Sequence, residues 1–188
     1  MPRSGVTRAA VVAAATLLAN TEGLEAITLA RLAKDLKIKP PSLYNHISGL
    51  ADVMRDLSVQ GVREANACMS RAAVGLSRKE ALSAVGMAYR QYAREQPGLY
   101  LASLRAVPED DAEWGEASQE TLKTIIAVLS GYGLEGKDAL HAVRGLRAII
   151  QGFVSLEAAR GFGMPLDIDE SFRRLLTVFS DGLARSGT

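Results

Sequence analysis

Two adjacent prolines, Pro40 and Pro41, constrain this chain more than any other feature. Before them Leu29, Leu32, Ala33 and Leu36 recur at i, i+3, i+4 and i+7, which lays one apolar stripe along a helix opening at Thr28, a good N-cap. Each proline drives the residue before it towards extended geometry, so Lys39 cannot be a helix interior, while Pro41 suits the first turn of a new helix. Residues 37–39 are therefore a turn. In the second helix Leu43 and Ile47 fall one turn apart and point inward. Ser42, Tyr44, Asn45 and His46 are left largely outward on roughly two turns, too short a helix to be stable alone. It must pack on its neighbours and present its polar face to something. Helix, three-residue turn and polar second helix is the helix-turn-helix pattern, whose second helix reads the major groove.

The rest of the chain also reads as helix. Residues 6–20 form a first helix that the Thr21-Glu22-Gly23 break ends with a glycine. The apolar run 9–19 behind Arg3 and Arg8 has the outline of a signal peptide, but Val11, Ala14, Ala15 and Leu18 make a helical stripe instead. Nothing approaches the ~20 apolar residues of a membrane span, and the chain reads as cytoplasmic with no membrane partner. Leu50, Val53, Met54 and Leu57 begin a longer helix leaving the head. Pro97-Gly98 ends or kinks a later one, before a short helix over 99–105. Pro108 with Glu109, Asp110 and Asp111 opens the next, running to residue 130, because negative charge favours a helix N-terminus. Helices over 137–160 and from Ile168 through Leu183 follow. No segment alternates with period two, so the expected class is all-α: a three-helix DNA-binding domain over 1–50 and a helical body over 51–188, about nine helices in all.

Net charge is +1, but residues 1–50 hold six basic side chains (Arg3, Arg8, Arg31, Lys34, Lys37, Lys39) against three acidic ones (Glu22, Glu25, Asp35), so that end is +3 and the remainder −2. A basic end suits phosphate contact. One cysteine, Cys68, excludes an internal disulfide; it is read as structural, with a redox role as the alternative. Two distant histidines, His46 and His141, offer no metal cluster, and no cofactor, metal or catalytic residue is assigned.

The segment from Thr28 to Ile47 resembles the TetR/AcrR family of transcriptional regulators, through the opening threonine, Arg31-Leu32-Ala33, the apolar Ile38 in the turn and Leu43-Tyr44-Asn45-His46-Ile47. Lys37 stands where that family usually has glycine, and Ile47 where it usually has phenylalanine. The stretch LRAIIQGFVSLEAARGFG followed by DESF is similar, more loosely, to the C-terminal half of relatives with a WHG domain. The resemblance implies a homodimeric regulator, a repressor of a double-stranded DNA operator responding to a small-molecule effector of unknown identity. It also implies that Tyr44 and His46 lie at the DNA backbone; buried aromatic and helix-end polar residue are their alternatives. The expected DNA-contacting set is Thr28, Lys39, Pro41, Ser42, Tyr44, Asn45 and His46. Lys39, Ser42 and Asn45 set sequence preference, since asparagine can pair bidentately with adenine and serine with several base edges.

Tyr89, Tyr92, Tyr100, Trp114 and Phe153, with Met87, line either an effector cavity or the core, because aromatics at helical spacing serve both. Gly145, Gly152 and Ala159 fall one heptad apart and let another helix come close; with Phe172, Leu176 and Phe179 they form the expected dimer interface. Residues 131–136 match GxGxxG with Glu157 at a distance suited to a ribose, but both flanks read as helix and no βαβ unit follows, so the segment is read as an interhelical turn. The rival functions are an enzyme, lacking any visible nucleophile and base, and a protein-binding helical adaptor, which the positive face of Lys37, Lys39 and Tyr44 argues against.

Overall fold

A computed structural model describes residues 6–105 and 110–186. Among these the chain forms nine α-helices, one short 3-10 turn (Leu24–Ala26) and no strand, so the class is all-α as expected. The helices are α1 (Arg8–Glu22), α2 (Leu29–Asp35), α3 (Pro40–Leu43), α4 (Leu50–Ala73), α5 (Arg78–Glu95), α6 (Pro97–Ser103), α7 (Ala112–Ser130), α8 (Gly136–Ala158) and α9 (Ile168–Ser186). No helix among the described residues is long and apolar enough to cross a membrane. Arg3, Pro108 and Glu109, which the sequence reading used, lie outside the described residues.

The chain divides into two compact units, Met1–Glu64 with Arg94–Ala117, and Ala65–Ala93 with Ser118–Thr188. The unit that carries the helix-turn-helix thus reaches past residue 50 and takes in a later segment as well.

In the first unit, Thr7 caps α1 by accepting the Ala10 N–H (3.2 Å), and Gly23 ends it at φ 91°, its N–H returning to the Ala19 carbonyl (3.0 Å). Val11, Ala15 and Leu18 of α1 are buried with Leu32, Leu43, Ile47 and the α4 residues Val53 and Leu57. α6 docks against this core from 78 residues further along. Asn20 of α1 accepts the N–H groups of Gly98 (2.9 Å) and Leu99 (3.2 Å), capping α6 from another helix, and its own amide donates to Gln96. The approach depends on glycine twice. A Cβ at Gly98 would collide with Ala19, and one at Gly61 of α4 would collide with the Leu99 carbonyl. Pro97, read from the sequence as a stop or kink, is the N1 residue of α6, where its missing N–H costs nothing.

In the second unit the core is Leu82, Val85, Tyr92, Leu129, Leu146, Ile150, Phe153, Phe172 and Leu176, with one charged side chain among them. Arg90 is 2% exposed and bonds Glu157 twice (2.8 and 2.6 Å) and Asp169 once (2.8 Å), joining α5 to the end of α8 and the start of α9. Its guanidinium carbon lies 5.4 and 5.1 Å from the ring centroids of Phe153 and Phe172. The 131–136 segment is the turn between α7 and α8: Gly133 and Gly136 take positive φ, Tyr132 and Leu134 are buried, and the Tyr132 hydroxyl meets Ser180 Oγ at 2.6 Å.

Candidate nucleic-acid interface

α2 opens as its sequence dictates: Thr28 is extended (φ −131°, ψ 154°) and its side chain accepts the Arg31 N–H at 3.1 Å. The helix closes in a Schellman arrangement, with Ile38 N–H bonded to the Ala33 carbonyl (3.0 Å) and Lys37 N–H to that of Lys34 (3.1 Å). The residue at the left-handed position is Lys37, φ 56°. Glycine would adopt that conformation without Cβ strain; lysine carries a cost of order 1 kcal/mol together with an exposed positive charge.

α3 begins at Pro40 after an extended Lys39 (φ −77°, ψ 143°) and is shorter than the two turns expected: four residues, then turns through Tyr44 to His46. Beyond Leu43 the bonds tighten to i→i−3, Tyr44 N–H reaching the Pro41 carbonyl (3.3 Å) and His46 N–H that of Leu43 (2.8 Å); further on, the His46 carbonyl accepts from Arg8 (3.5 Å) and the Ser48 N–H donates to Asp52 Oδ2 (2.9 Å). Leu43 and Ile47 are buried as predicted, which fixes the face that remains. On it, Tyr44 is 59% exposed, Lys39, Pro41 and Asn45 are exposed, and Ser42 and His46 are half-buried.

The charges around this face are sorted. Arg8 binds Asp52 and Asp56, and Arg31 binds Glu22 and Asp35. Those bonds raise both guanidinium pKa values, through Asp52 and then Asp56 for Arg8 and through Glu22 first for Arg31, while Arg31 holds the Glu22 carboxyl below its usual range. Lys34, Lys37 and Lys39, at the end of α2 and in the turn, are exposed and take part in no ion pair among the described residues, so they supply the positive potential of the face.

The expected effector-lining residues do not come together within one unit. Tyr89, Tyr92 and Phe153 belong to the second, Tyr100 and Trp114 to the first. Tyr92, Tyr100 and Phe153 are buried, Tyr89, Trp114 and Met87 half-buried. Burial pushes the Tyr89 hydroxyl up, against a bond to Gln151. Phe153 packs in tilted contacts against Phe162 and Phe172 (centroids 4.7 Å apart in each case) and lies under the Arg90 guanidinium, which places it in the core. Two open concavities in the second unit, of about 290 Å³ beside Phe162 and Met164 and about 470 Å³ beside Ala81 and Val128, involve none of the five. No group of three potential metal ligands occurs among the described residues.

Of the expected dimer residues, Gly152 and Ala159 are exposed, and Gly145 and Phe179 are half-buried, a Cβ at Gly145 falling 3.2 Å from the Phe179 ring. Phe172 and Leu176 correct the expectation. They are 0% and 1% exposed inside the protomer, so no partner can touch them; the amphipathic stripe that suggested an interface points into the chain's own core.

Comparison with known proteins adds identity to this geometry. Residues 82–179 match the family model of the tetracyclin repressor-like C-terminal domain. The chain is 36% identical over 182 residues, 97% of its length and 95% of the relative's, to the uncharacterized HTH-type transcriptional regulator YobS of Bacillus subtilis. The chain belongs to the TetR family. It is a DNA-binding transcriptional regulator. A second relative, the uncharacterized HTH-type transcriptional regulator Rv0681 of Mycobacterium tuberculosis, is 33% identical over 184 residues, 97% of this chain and 84% of that one. Among solved structures, a protein of unknown function from Rhodococcus sp. RHA1 shares the fold with TM-score 0.81 at 19% identity, over 97% of this chain and 98% of that one. A substituted TetR from Acinetobacter baumannii AYE, in complex with minocycline, does so with TM-score 0.73 at 22% identity, over 98% and 99%.

Proposed function

We propose that this TetR-family chain is an effector-responsive repressor that binds a pseudo-palindromic operator as a homodimer. The observation that carries the reading is the face of α3 and its turn, where Lys37, Lys39, Tyr44 and Asn45 are exposed around the buried Leu43 and Ile47. Lysines there meet phosphates, Tyr44 reaches the backbone, and Asn45 and Ser42 meet base edges. Leu140 and Leu156 on α8 and Val178 on α9 are large apolar side chains left exposed, and Gly152 and Ala159 on α8 are exposed too, which supports pairing of these two helices with a second copy. Two recognition segments would then address half-sites about one DNA turn, ~34–36 Å, apart or somewhat more. The minocycline complex of a structural neighbour supports an effector site.

Footprinting on the DNA beside the protein's own gene tests this. A protected two-fold sequence is expected, with Tyr44→Ala weakening protection and Lys39→Ala lowering the salt slope by about one. Asn45→Ala should relax base preference. Protection of a single half-site by a monomer at full affinity would overturn the dimeric reading. Gly152→Trp examines the dimer separately: the position is exposed and a Cβ there meets nothing within 4 Å in the protomer, so the variant should fold and yet sediment as a monomer.

A further inference from the structure

Charged side chains in the first unit form a connected ladder from the recognition segment to the first turn of α7. Arg8 holds Asp52 through both terminal nitrogens and Asp56 Oδ2 through Nε (2.8 Å). The other oxygen of Asp56 accepts from Arg55 (3.2 Å), which in turn chelates Asp111 through Nε and Nη2 (2.6 and 2.7 Å). Each end grips backbone. Asp52 takes the Ser48 N–H (2.9 Å) and Arg8 reaches the His46 carbonyl (3.5 Å), while Asp111 Oδ1 takes the Trp114 N–H (2.9 Å) and so caps α7.

Isolated surface ion pairs contribute little. This ladder differs in two respects. Its middle is shielded, with Asp56 and Asp111 side chains 13% exposed and Arg55 26%. And Asp56 is shared by two arginines, so a change in one bond redistributes charge to the other. The element at the receiving end is soft: α3 has four residues, and its conformation is set by what holds its ends.

We propose that this ladder couples the start of α7 to the recognition segment, with Arg8 and Asp52 as positioning residues for DNA recognition and Arg55 as the hub. The part that concerns DNA rests on the function proposed above; the coupling between α7 and Ser48 does not.

Amide hydrogen exchange of the full chain without DNA tests the coupling. Asp111→Asn and Arg55→Met should each accelerate exchange of the Ser48 amide by about two- to thirty-fold, the range typical of coupled sites. Asp138→Asn, in the exposed first turn of α8, should leave it unchanged. Arg55 also donates to Glu113 Oε2 (2.6 Å) in the same turn, so the deciding variant is Asp111→Asn with Glu113→Gln, nearly isosteric at both positions. If its Trp114 amide accelerates while Ser48 exchanges as in wild type, the ladder carries nothing and the proposal fails, whether or not Arg55→Met folds. A second measurement uses Trp114, the sole tryptophan of the chain. Adding the footprinted duplex should shift its emission in wild type and not in Arg55→Met. A duplex that binds by anisotropy of a DNA label without moving wild-type emission overturns the link to DNA. Absence of any DNA binding would instead refute the proposed function, leaving the exchange result to judge the coupling.

Discussion

One methyl group at position 98 tests how closely α6 is docked on α1. A Cβ built on Gly98 would lie 2.5 Å from the Cβ of Ala19 and closer still to its carbonyl carbon and oxygen. Two of those three atoms are backbone, in the turn that the Gly23-to-Ala19 bond closes, so no rotamer change clears the space. Overpacking of this kind costs about 1–3 kcal/mol. Moving α6 away to relieve it stretches the two bonds to Asn20, each contributing about 1 kcal/mol. Alanine returns less than about 1 kcal/mol of helix propensity, because position 98 is in the first turn. The balance is a loss of about 2 kcal/mol, which in a chain of this size lowers the Tm by about 4–8 °C. Gly115 of α7 has nothing within 4 Å of the equivalent position, so Gly115→Ala should gain up to about 1 kcal/mol from the same chemical change. Thermal unfolding by circular dichroism at one fixed protein concentration measures both. If Gly98→Ala melts at or above wild type, the contact between α1 and α6 has slack and the reasoning is wrong.

Lys37→Gly should stabilise the chain by about 1 kcal/mol in urea titrations by relieving the left-handed strain, while weakening operator binding through the lost charge; no gain in stability would remove the strain from the account. Arg90→Met should lose about 3 kcal/mol, the low end for a broken buried pair because Asp169 is 54% exposed, and adding Glu157→Gln should recover part of it; equal stabilities of the single and double variants would show that Glu157 is not strained by losing its partner. The Arg55 guanidinium, with the Trp114 N–H, pulls the Asp111 carboxyl down to about 2. A depressed folded-state pKa means its stabilisation is complete at neutral pH and disappears as pH falls from the usual value of about 4 towards 2, so Asp111→Asn should flatten the acid limb of the stability curve there, and an unchanged limb would count against the pair.

What could be read from the sequence was what neighbours along the chain decide. Thr28 as cap, the glycine stop at Gly23, the turn over 37–39 and the inward Leu43 and Ile47 all depend on residues within one or two helical turns, and all appear in the structure. The length of α3 did not follow, because the tightening of its last bonds to i→i−3 leaves no mark in the spacing of apolar residues. Phe172 and Leu176 were misassigned because periodicity reports that a stripe is buried without saying against what. Arg90 left a trace that could have been used: it stands one turn after Gly86 on the buried stripe of α5, and Glu157 occupies an apolar position of α8. Two opposite charges on two apolar stripes are a matched pair. The Asn20 cap on α6 left none, since a single asparagine 78 residues away carries no mark of its target.

The way the first unit is assembled bears on how such a regulator can be recombined. The unit is completed by residues 94–117, so the chain passes from one unit to the other within α4, near the end of α5 and within α7. A fragment cut at residue 50, or even at 64, would keep the helix-turn-helix and lose the Leu99 and Ala102 side chains of its core, the helix that Asn20 caps and the carboxylate that Arg55 chelates. The head is therefore not a cassette. A chimera that grafts it onto a foreign sensor must transplant the 94–117 segment too, whereas Tyr44 and Asn45 on the α3 face are exposed and lie outside the buried core that holds the unit together.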